Sequence, residues 1–361
     1  MQIVYFPYLS LGRKDVLDFG EVKVWNFGVK ASEYISDEPL RSHIEKIIYS
    51  NVSHKQPIKD VGMVSIGTTD FRTFSSGELD LVNEVRLIMF LSFLSKNNTI
   101  GRGANAGWLL GTSENFEFVL QNFDVGNPYI SERAGEIVSM GIGGYKIGEK
   151  LFHAPSHVLK PQRFSLDGHL ITQLIRLKKR GGKRLYNRIL RATDLLFESY
   201  YNSPNVSRNA RALLQIAAFE TLLDLPQSGQ RKDFKDKMTL YCNGPREKIY
   251  KHYYETRGGK QPESISRKAI WADEYYTLRN HIIHGDGVKP VDFIFKGKQR
   301  HIDIAVLFFV LFIKKLINAR YPGPVFFDEI IWKKTNDGSD VYEGFCWEDH
   351  EIARLLAKHR I

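Results

Sequence analysis

Arg279, Asn280 and His284 form the part of this chain whose residue types are best suited to chemistry. A histidine can take up and release a proton near neutral pH, and an arginine can bind a phosphate through two N–H groups. An amide between them can orient either side chain through hydrogen bonds. The same Arg and His at a helix end could instead only complement the helix dipole and cap backbone carbonyls.

The spacing of Arg279 and His284 is weak evidence by itself, because Arg354 and His359 repeat it near the C-terminus. The tail pair, however, lacks a polar residue directly after the arginine and a glycine directly after the histidine. At the first pair Asn280 and Gly285 fill those two positions. The residues around the pair therefore carry more information than the spacing.

An amphipathic helix that ends at Gly285 is predicted around the candidate residues. At 100° per residue, Arg279, Asn280 and His284 lie away from its apolar stripe, with about 140° between Arg279 and His284. Tyr276 and Ile283 share this side, which indicates that a second surface covers it. The apolar stripe consists of Trp271, Tyr275, Leu278 and Ile282.

The pattern of apolar residues, glycines and prolines along the chain predicts an α+β fold. It divides the chain into an N-terminal domain over 1–165, a helical domain over 166–322 and a tail over 323–361. The N-terminal domain is mixed and strand-rich, and a sensing or regulatory role is expected for it. Its predicted strands are Val22–Phe27, Val61–Ile66, Phe116–Leu120 and Ile137–Met140. A capping box at Ser75–Glu78 begins a helix over Leu79–Leu94. The tail is expected to hold a strand over Val325–Ile331 and a short helix over Glu348–His359.

The helical domain is predicted to be an all-α bundle, because successive helices are joined by short polar loops. Gly181 and Gly182 could form a hinge just before its first helix. The predicted helices cover Lys183–Tyr201, Ser207–Leu225, 232–242, 246–256, Ser264 or Ser266 to Gly285, and His301–Ala319.

The segment Leu278–Gly285, Leu-Arg-Asn-x-x-x-His-Gly, resembles the signature of the HEPN superfamily, especially its Apea-like branch. Leu190–Phe197 is similar to the first helix of that family, and Ala212–Leu223 is similar to its second. The resemblance covers about residues 183–320. It is specific at the Arg-Asn-x-x-x-His-Gly core and diffuse elsewhere.

This resemblance implies a metal-independent endoribonuclease that acts as a homodimer, with two copies of the motif facing each other. His284 would act as acid or base toward the RNA 2′-hydroxyl or the leaving oxygen, and Arg279 would bind the scissile phosphate. Asn280 would orient His284 or the phosphate. The expected products are a 2′,3′-cyclic phosphate and a 5′-hydroxyl.

Two further residues are expected to support the site. Tyr276 lies on the same side of the helix as the candidate residues. Glu220 could contribute as well, although an ion pair with Arg191 or Arg211 is the expected arrangement for a helix glutamate at this position.

A concentrated basic run indicates a polyanionic partner, and RNA fits the implied activity. The chain carries a formal net charge of +10, and no acidic residue occurs between Asp167 and Asp194. The alternative is a solvated helix face. The expected RNA-binding residues are Arg176, Lys178, Lys179, Arg180, Lys183 and Arg184, and Arg188 and Arg191 extend the run.

Composition and motifs exclude several other classes. The two cysteines, Cys242 and Cys346, form no CxxC pair, which favours a reducing cytosol and no structural zinc. The N-terminus lacks the features of a signal peptide, and the apolar run Ile304–Ile313 is too short to span a bilayer. We therefore expect a cytoplasmic protein with no cofactor, no metal and no membrane partner.

Two functions follow as hypotheses. The first is an RNA-cleaving effector of a defence or toxin-like system. The second is a non-catalytic, dimeric HEPN module that binds nucleic acid or a nucleotide without cutting it. A purely structural role for the motif is the third interpretation.

Overall fold

A computed structural model gives the fold. It describes residues 1–11, 16–53, 56–67, 71–97, 112–127, 129–130, 133–134, 137–138, 145–147, 152–153, 162–163, 166–201, 206–242, 249–256, 259–295, 299–321, 326, 329–334, 340–345, 352 and 356. The chain divides into two compact units. One comprises residues 1–97, 109–175 and 200–203, and the other comprises 176–199 and 204–361.

Short strands dominate the first unit, and five of them form one antiparallel sheet in the order Val16–Asp18, Val22–Asn26, Gly62–Ile66, Gln2–Phe6 and Val119–Asn122. In this sheet Met63 pairs with Tyr5 on one side and with Trp25 on the other. The strands are β1 (Gln2–Phe6), β2 (Leu9–Ser10), β3 (Val16–Asp18), β4 (Val22–Asn26), β5 (Asn51–Ser53), β6 (Gln56–Pro57), β7 (Gly62–Ile66), β8 (Val119–Asn122), β9 (Tyr129–Ile130), β10 (Arg133–Ala134), β11 (Ile137–Val138), β12 (Tyr145–Lys146), β13 (Phe152–His153) and β14 (Gln162–Arg163).

Helices complete the first unit, which is mixed α+β as expected. They are α1 (Phe27–Tyr34), α2 (Glu38–Tyr49), α3 (Ser76–Asn97) and the start of α4 (Gly168–Lys179). The predicted capping box begins α3, since the backbone N–H of Ser75 donates to Glu78 Oε2 at 2.9 Å and Glu78 N–H donates to Ser75 Oγ at 3.3 Å. The core packs around Trp25, which stacks on Tyr34 with ring centroids 4.5 Å apart.

The second unit is mainly helical, and its five helices among the described residues lie close to predicted ones. Its helices are α5 (Lys183–Ser199), α6 (Arg208–Leu223), α7 (Gln230–Cys242), α8 (Arg267–His284) and α9 (His301–Arg320). Its strands are β15 (Ile249–Thr256), β16 (Gly259–Ser266), β17 (Ile294–Phe295), β18 (Gln299–Arg300), β19 (Glu329–Lys334) and β20 (Asp340–Phe345). A single 3-10 turn over Pro290–Phe293 precedes β17.

The core of this unit is built around α9, which is apolar on all sides and buried, as its composition predicts. Phe219 of α6 packs edge-on against Phe309 of α9 at 5.7 Å and against Trp271 of α8 at 6.3 Å. It also contacts Phe234 of α7 at 5.3 Å. Phe219 therefore joins α6, α7, α8 and α9 in one core.

A β-hairpin replaces one predicted helix, so the second unit is not an all-α bundle. The expectation of a helix over 246–256 is wrong, because β15 pairs antiparallel with β16 from Ile249↔Ser266 to Thr256↔Gly259. The segment is rich in Tyr, Ile and Thr, which favour strands, and Gly259 adopts φ 98° beside the two-residue connection. The HEPN bundle arrangement thus remains a proposal, while the α+β class holds.

In the C-terminal region, β19 pairs antiparallel with β20. β19 overlaps the predicted strand, whereas the predicted helix over 348–359 lies almost wholly outside the described residues. Within the part of the chain that the structure describes, no helix has the length and apolar character needed to cross a membrane.

Candidate functional site

Helix α8 positions the candidate residues, and polar caps define both of its ends. At the start, Ser266 Oγ accepts a hydrogen bond from Ala269 N–H at 3.2 Å. At the end, Gly285 takes the left-handed conformation with φ 74°. There Asp286 N–H donates to the His281 carbonyl at 2.9 Å, as in a Schellman motif. His284 is therefore the last helical residue, as the sequence predicts.

The apolar stripe of α8 faces the core as predicted, since Trp271, Tyr275 and Leu278 are buried and Ile282 is half-buried. On the polar side of α8, Tyr276 is less exposed to solvent than expected. Tyr276 is only 2% exposed, because its ring packs against Phe234 of α7 with centroids 6.1 Å apart. Helix α7 thus forms part of the second surface that the sequence indicated.

Arg279 and Glu220 form an ion pair between α8 and α6. Arg279 Nε lies 3.2 Å from Glu220 Oε1, and both side chains are about one-fifth exposed, at 24% and 19%. The expectation that Glu220 pairs with Arg191 or Arg211 is corrected, because the cation that it binds is Arg279. Helices α6 and α8 pack against each other, which brings Glu220 and Arg279 together although they are 59 positions apart in sequence.

Tyr276 holds Glu220 in place from the other side. The Tyr276 hydroxyl donates to Glu220 Oε1 at 2.5 Å and lies 2.7 Å from the side-chain oxygen position of Gln230. A hydroxyl has one proton, so the Gln230 amide would have to turn its NH₂ group toward this oxygen to bond it as well. Burial raises the pKa of Tyr276, the hydrogen bond and charge of Glu220 raise it further, and Arg279 opposes them. Tyr276 is therefore a neutral donor.

The guanidinium of Arg279 is fixed by contacts on three sides. Besides Glu220, it lies over the Tyr276 ring at 5.1 Å from the centroid, and its NH1 group donates to Asn280 Oδ1 at 3.3 Å. These contacts use two of the five N–H donors of an arginine. The remaining donors are compatible with binding an anion. Glu220, Tyr276 and Asn280 thus act as positioning residues for Arg279.

His284 occupies a different environment from Arg279. Its side chain is exposed, and among the described residues it has no polar contact. The two residues are about 140° apart around the helix and about 7.5 Å apart along it. One chain therefore does not bring the imidazole onto the guanidinium. A ligand or a second copy is needed to join them.

The expected RNA-binding run forms a helix–turn–helix segment. Gly181 has φ 78°, and a Cβ on Gly182 would lie 2.2 Å from Leu177 Cδ1, so the two glycines make a tight turn between α4 and α5. Lys179, Arg180, Lys183 and Arg184 are exposed around this turn.

The other two residues of the expected set contact aromatic rings. The Arg176 guanidinium lies 4.7 Å from the Tyr321 ring centroid, and Lys178 Nζ lies 5.8 Å from that of Tyr186. These side chains therefore contribute to packing as well as to charge. The exposed positive surface is centred on the Gly181–Gly182 turn.

A second polar cluster on α8 was not identified from the sequence. Both oxygens of Asp273 receive N–H groups of Arg231 at 2.7 Å, and His252 Nε2 lies 3.2 Å from Asp273 Oδ2. Burial alone would raise the pKa of Asp273, but the hydrogen bonds and charges of His252 and Arg231 hold it well below its usual value. Asp273 therefore remains ionised.

This cluster lies in a cleft of about 540 Å³ lined by α7, α8, β15, the segment 291–294 and the start of α9. Asp273, Thr277 and His281 face it from successive turns of α8, at spacings of four residues. Residues four positions apart lie on the same side of a helix, so the sequence could have indicated that these three residues of α8 share one surface. The partners from other elements, Arg231 and His252, had no such signal. Among the described residues, no group of three or more His, Cys, Asp or Glu side chains is arranged to hold a metal ion.

Comparison with known proteins does not assign the chain to a family. No protein-family model, no curated protein and no solved structure matches the chain. The resemblance to the HEPN signature therefore rests on the motif residues themselves.

Proposed function

We propose that the chain is a metal-independent endoribonuclease of HEPN type, with Arg279 and His284 as its catalytic residues. The observation that carries the proposal is the pre-positioned guanidinium of Arg279, held by Glu220, Tyr276 and Asn280 on the same helix that ends with the exposed imidazole of His284. A fixed cation with unused N–H donors suits a phosphate whose charge grows during the reaction.

The reaction that fits these groups is attack by the neighbouring 2′-hydroxyl on the phosphorus. A base removes the 2′-hydroxyl proton, the O2′–P bond forms, and the P–O5′ bond breaks while an acid gives a proton to O5′. The products are a 2′,3′-cyclic phosphate and a 5′-hydroxyl. Arg279 would bind the non-bridging oxygens through two N–H groups, and His284 would supply the base or the acid.

One histidine cannot act as base and acid in the same step, so a homodimer with two motifs across a two-fold axis is part of the proposal. A second copy would also supply the contact that His284 lacks among the described residues.

RNA cleavage in EDTA tests the activity directly. Wild type, Arg279→Ala, His284→Ala and the control His359→Ala are incubated with mixed RNA, and the cut ends are mapped. His359→Ala is the matched control, because Arg354 and His359 repeat the Arg–His spacing in the tail. We expect a loss of 100-fold or more for His284→Ala, none for the control, and cyclic-phosphate ends. Unchanged cleavage in both motif variants would refute the proposal.

An RNA-cleaving effector of a defence or toxin-like system is the biological role that we propose with this activity. Expression of wild type should then arrest growth of the host cell, and His284→Ala should not. Equal toxicity of the two proteins would separate any growth defect from RNA cleavage.

A non-catalytic, dimeric nucleic-acid-binding module is the second candidate. The ion pair with Glu220 favours it, because that carboxylate offsets the charge that Arg279 would present to a phosphate. Binding to RNA should then survive His284→Ala and weaken when the exposed basic residues at the Gly181–Gly182 turn are neutralised, with a steep salt dependence.

A further inference from the structure

The carboxylate of Glu220 is held through one of its two oxygens. Oε1 accepts a hydrogen bond from the Tyr276 hydroxyl at 2.5 Å and lies 3.2 Å from Arg279 Nε. Among the described residues no donor is bonded to Oε2. The side chain is 19% exposed, so solvent or a ligand can reach it. Glu220 therefore offers a proton acceptor that the proposed reaction does not yet use.

The groups that hold Oε1 are themselves fixed by packing. Tyr276 is 2% exposed, and its ring packs against Phe234. The guanidinium of Arg279 lies over the Tyr276 ring and donates to Asn280 Oδ1. With Oε1 anchored on both groups, the direction of Oε2 is set by the core of the second unit. A base that is held in one orientation loses little freedom when the substrate arrives.

The position of Glu220 beside Arg279 suits the attacking hydroxyl of a bound RNA. Arg279 has three N–H groups that its contacts with Glu220 and Asn280 leave unused, and a phosphate can bind there. In a reactive RNA conformation the 2′-oxygen lies about 3–3.5 Å from the adjoining phosphorus. A phosphate on Arg279 therefore brings its 2′-hydroxyl close to the guanidinium, whose Nε edge Glu220 contacts.

His284 lies on a different side of α8 from this contact. It is about 140° around the helix from Arg279 and about 7.5 Å along it. An in-line displacement needs its base and its acid on opposite sides of the phosphorus. The separation of His284 from the Glu220–Arg279 pair is compatible with that requirement, whether the imidazole comes from the same chain or from a second copy.

We propose that Glu220 is a catalytic residue, the general base that removes the 2′-hydroxyl proton, and that His284 is the general acid. The inference rests on the proposed function, whose base it names. Oε2 of Glu220 takes the proton, the O2′–P bond forms, the P–O5′ bond breaks, and the protonated imidazole of His284 gives its proton to O5′. Each His284 then supplies one proton and no longer has to act as a base.

Proton transfer to Glu220 also changes the charge around Arg279. Before the reaction the carboxylate offsets the charge of the guanidinium. Once Oε2 carries the proton, that offset is gone, while the negative charge on the phosphoryl oxygens is growing. Arg279 therefore interacts more strongly with the transition state than with the bound substrate, which is the condition for faster reaction.

A sulfur-substituted substrate separates the base from the acid. An RNA oligonucleotide spanning a site that wild type cuts is made with oxygen or with sulfur at the scissile 5′ position, and single-turnover rates are measured in EDTA. A thiolate leaves without a proton, since a thiol is far more acidic than an alcohol. His284→Ala should lose about 100-fold or more on the oxygen substrate and recover most of it on the sulfur substrate. Glu220→Gln should lose about 100-fold or more on both.

The pH dependence on the sulfur substrate distinguishes a base from a residue that only positions Arg279. The Glu220→Gln rate should rise about tenfold per pH unit, because hydroxide must then remove the proton, whereas the wild-type rate levels off. Glu220→Asp keeps a carboxylate and should keep the wild-type profile at a lower rate. Glu263→Gln is the matched control, because it removes a partly exposed carboxylate that pairs with Lys235 on other elements, and both rates should persist. Circular dichroism checks that each variant is folded.

Several results would overturn the assignment of Glu220. They are a Glu220→Gln rate within about threefold of wild type, recovery of this variant on the sulfur substrate, or a wild-type pH profile at a reduced rate. The last result, together with weaker binding of an oligonucleotide that lacks the 2′-hydroxyl at the site, would make Glu220 a positioning residue alone. If Arg279→Ala and His284→Ala lose cleavage but Glu220→Gln keeps it, the activity stands and the base assignment falls. If wild type cuts no RNA in EDTA, both fall.

Discussion

Replacement of His301 by phenylalanine should make the second unit less sensitive to mild acid. The imidazole stacks on Tyr275 with centroids 5.3 Å apart and lies edge-on to Phe295 at 5.8 Å. A phenyl ring can keep this packing while it removes the titrating nitrogen. Burial lowers the pKa of His301 from 6.5 to about 3.

The sign and the size of the effect follow from proton binding. As the pH falls below 6.5, the unfolded chain takes up a proton at this position and the folded chain does not. The unfolded state is thereby favoured, and the free energy of unfolding decreases by up to about 1.4 kcal/mol per pH unit until the pH approaches 3. Between pH 7 and pH 5 the contribution of His301 amounts to about 2 kcal/mol.

Urea unfolding at pH 7 and pH 5, followed by circular dichroism and tryptophan fluorescence, measures this effect. The difference between wild type and His301→Phe should change by about 2 kcal/mol in favour of the variant at pH 5. The range stays above the pH at which Asp273 begins to lose its stabilising charge. His281→Phe removes an exposed imidazole from the same cleft and is the matched control for the loss of an imidazole. A difference that is the same at both pH values within 0.5 kcal/mol or so would refute the argument.

Three further predictions concern packing, the ion pair and the basic surface. Phe219→Ala should reduce the free energy of unfolding by about 3–5 kcal/mol in urea unfolding, because it leaves a cavity among four helices; a loss below about 1 kcal/mol would contradict the described core. Glu220→Gln should lower stability in thermal unfolding by about 1–3 kcal/mol through loss of the Arg279 partner, and Glu33→Gln, an exposed control, should have little effect. Neutralising the exposed basic residues should reduce the slope of log K against log salt for single-stranded RNA by up to about 3, as measured by fluorescence anisotropy, and an unchanged slope would exclude them as phosphate contacts. These residues are Lys179, Arg180, Lys183 and Arg184.

Local sequence rules predicted the framework of the site well, because its ends are local features. The Ser266 cap, the left-handed Gly285 and the apolar stripe through Trp271 depend on residues within a few turns of one helix. The hairpin over 249–266 was missed for the opposite reason. Its strands are stabilised by pairing with each other, and each short apolar run alone is compatible with a helix or a strand.

The contacts within the site were less predictable than its framework. Glu220 reaches Arg279 only because α6 and α8 pack together, and a cation nearer in sequence was the more natural expectation. The cleft combines Arg231, His252 and Asp273 from three separate elements, so no local pattern contains it. Long-range packing decides which ionisable groups meet, and it also decides their protonation.

Helix α8 carries the cleft wall, the Arg279 cluster and His284 on one continuous rod between two fixed ends. The number of residues in this helix is therefore more constrained than the identity of most of them. One inserted or deleted residue inside it would turn everything downstream by about 100° and move it about 1.5 Å along the axis. Inserted before Arg279, such a residue would carry Arg279 away from Glu220. Inserted between His281 and His284, it would change the angle between these two histidines. Variation in this segment should accordingly occur by substitution at exposed positions, while changes in its length are removed by selection.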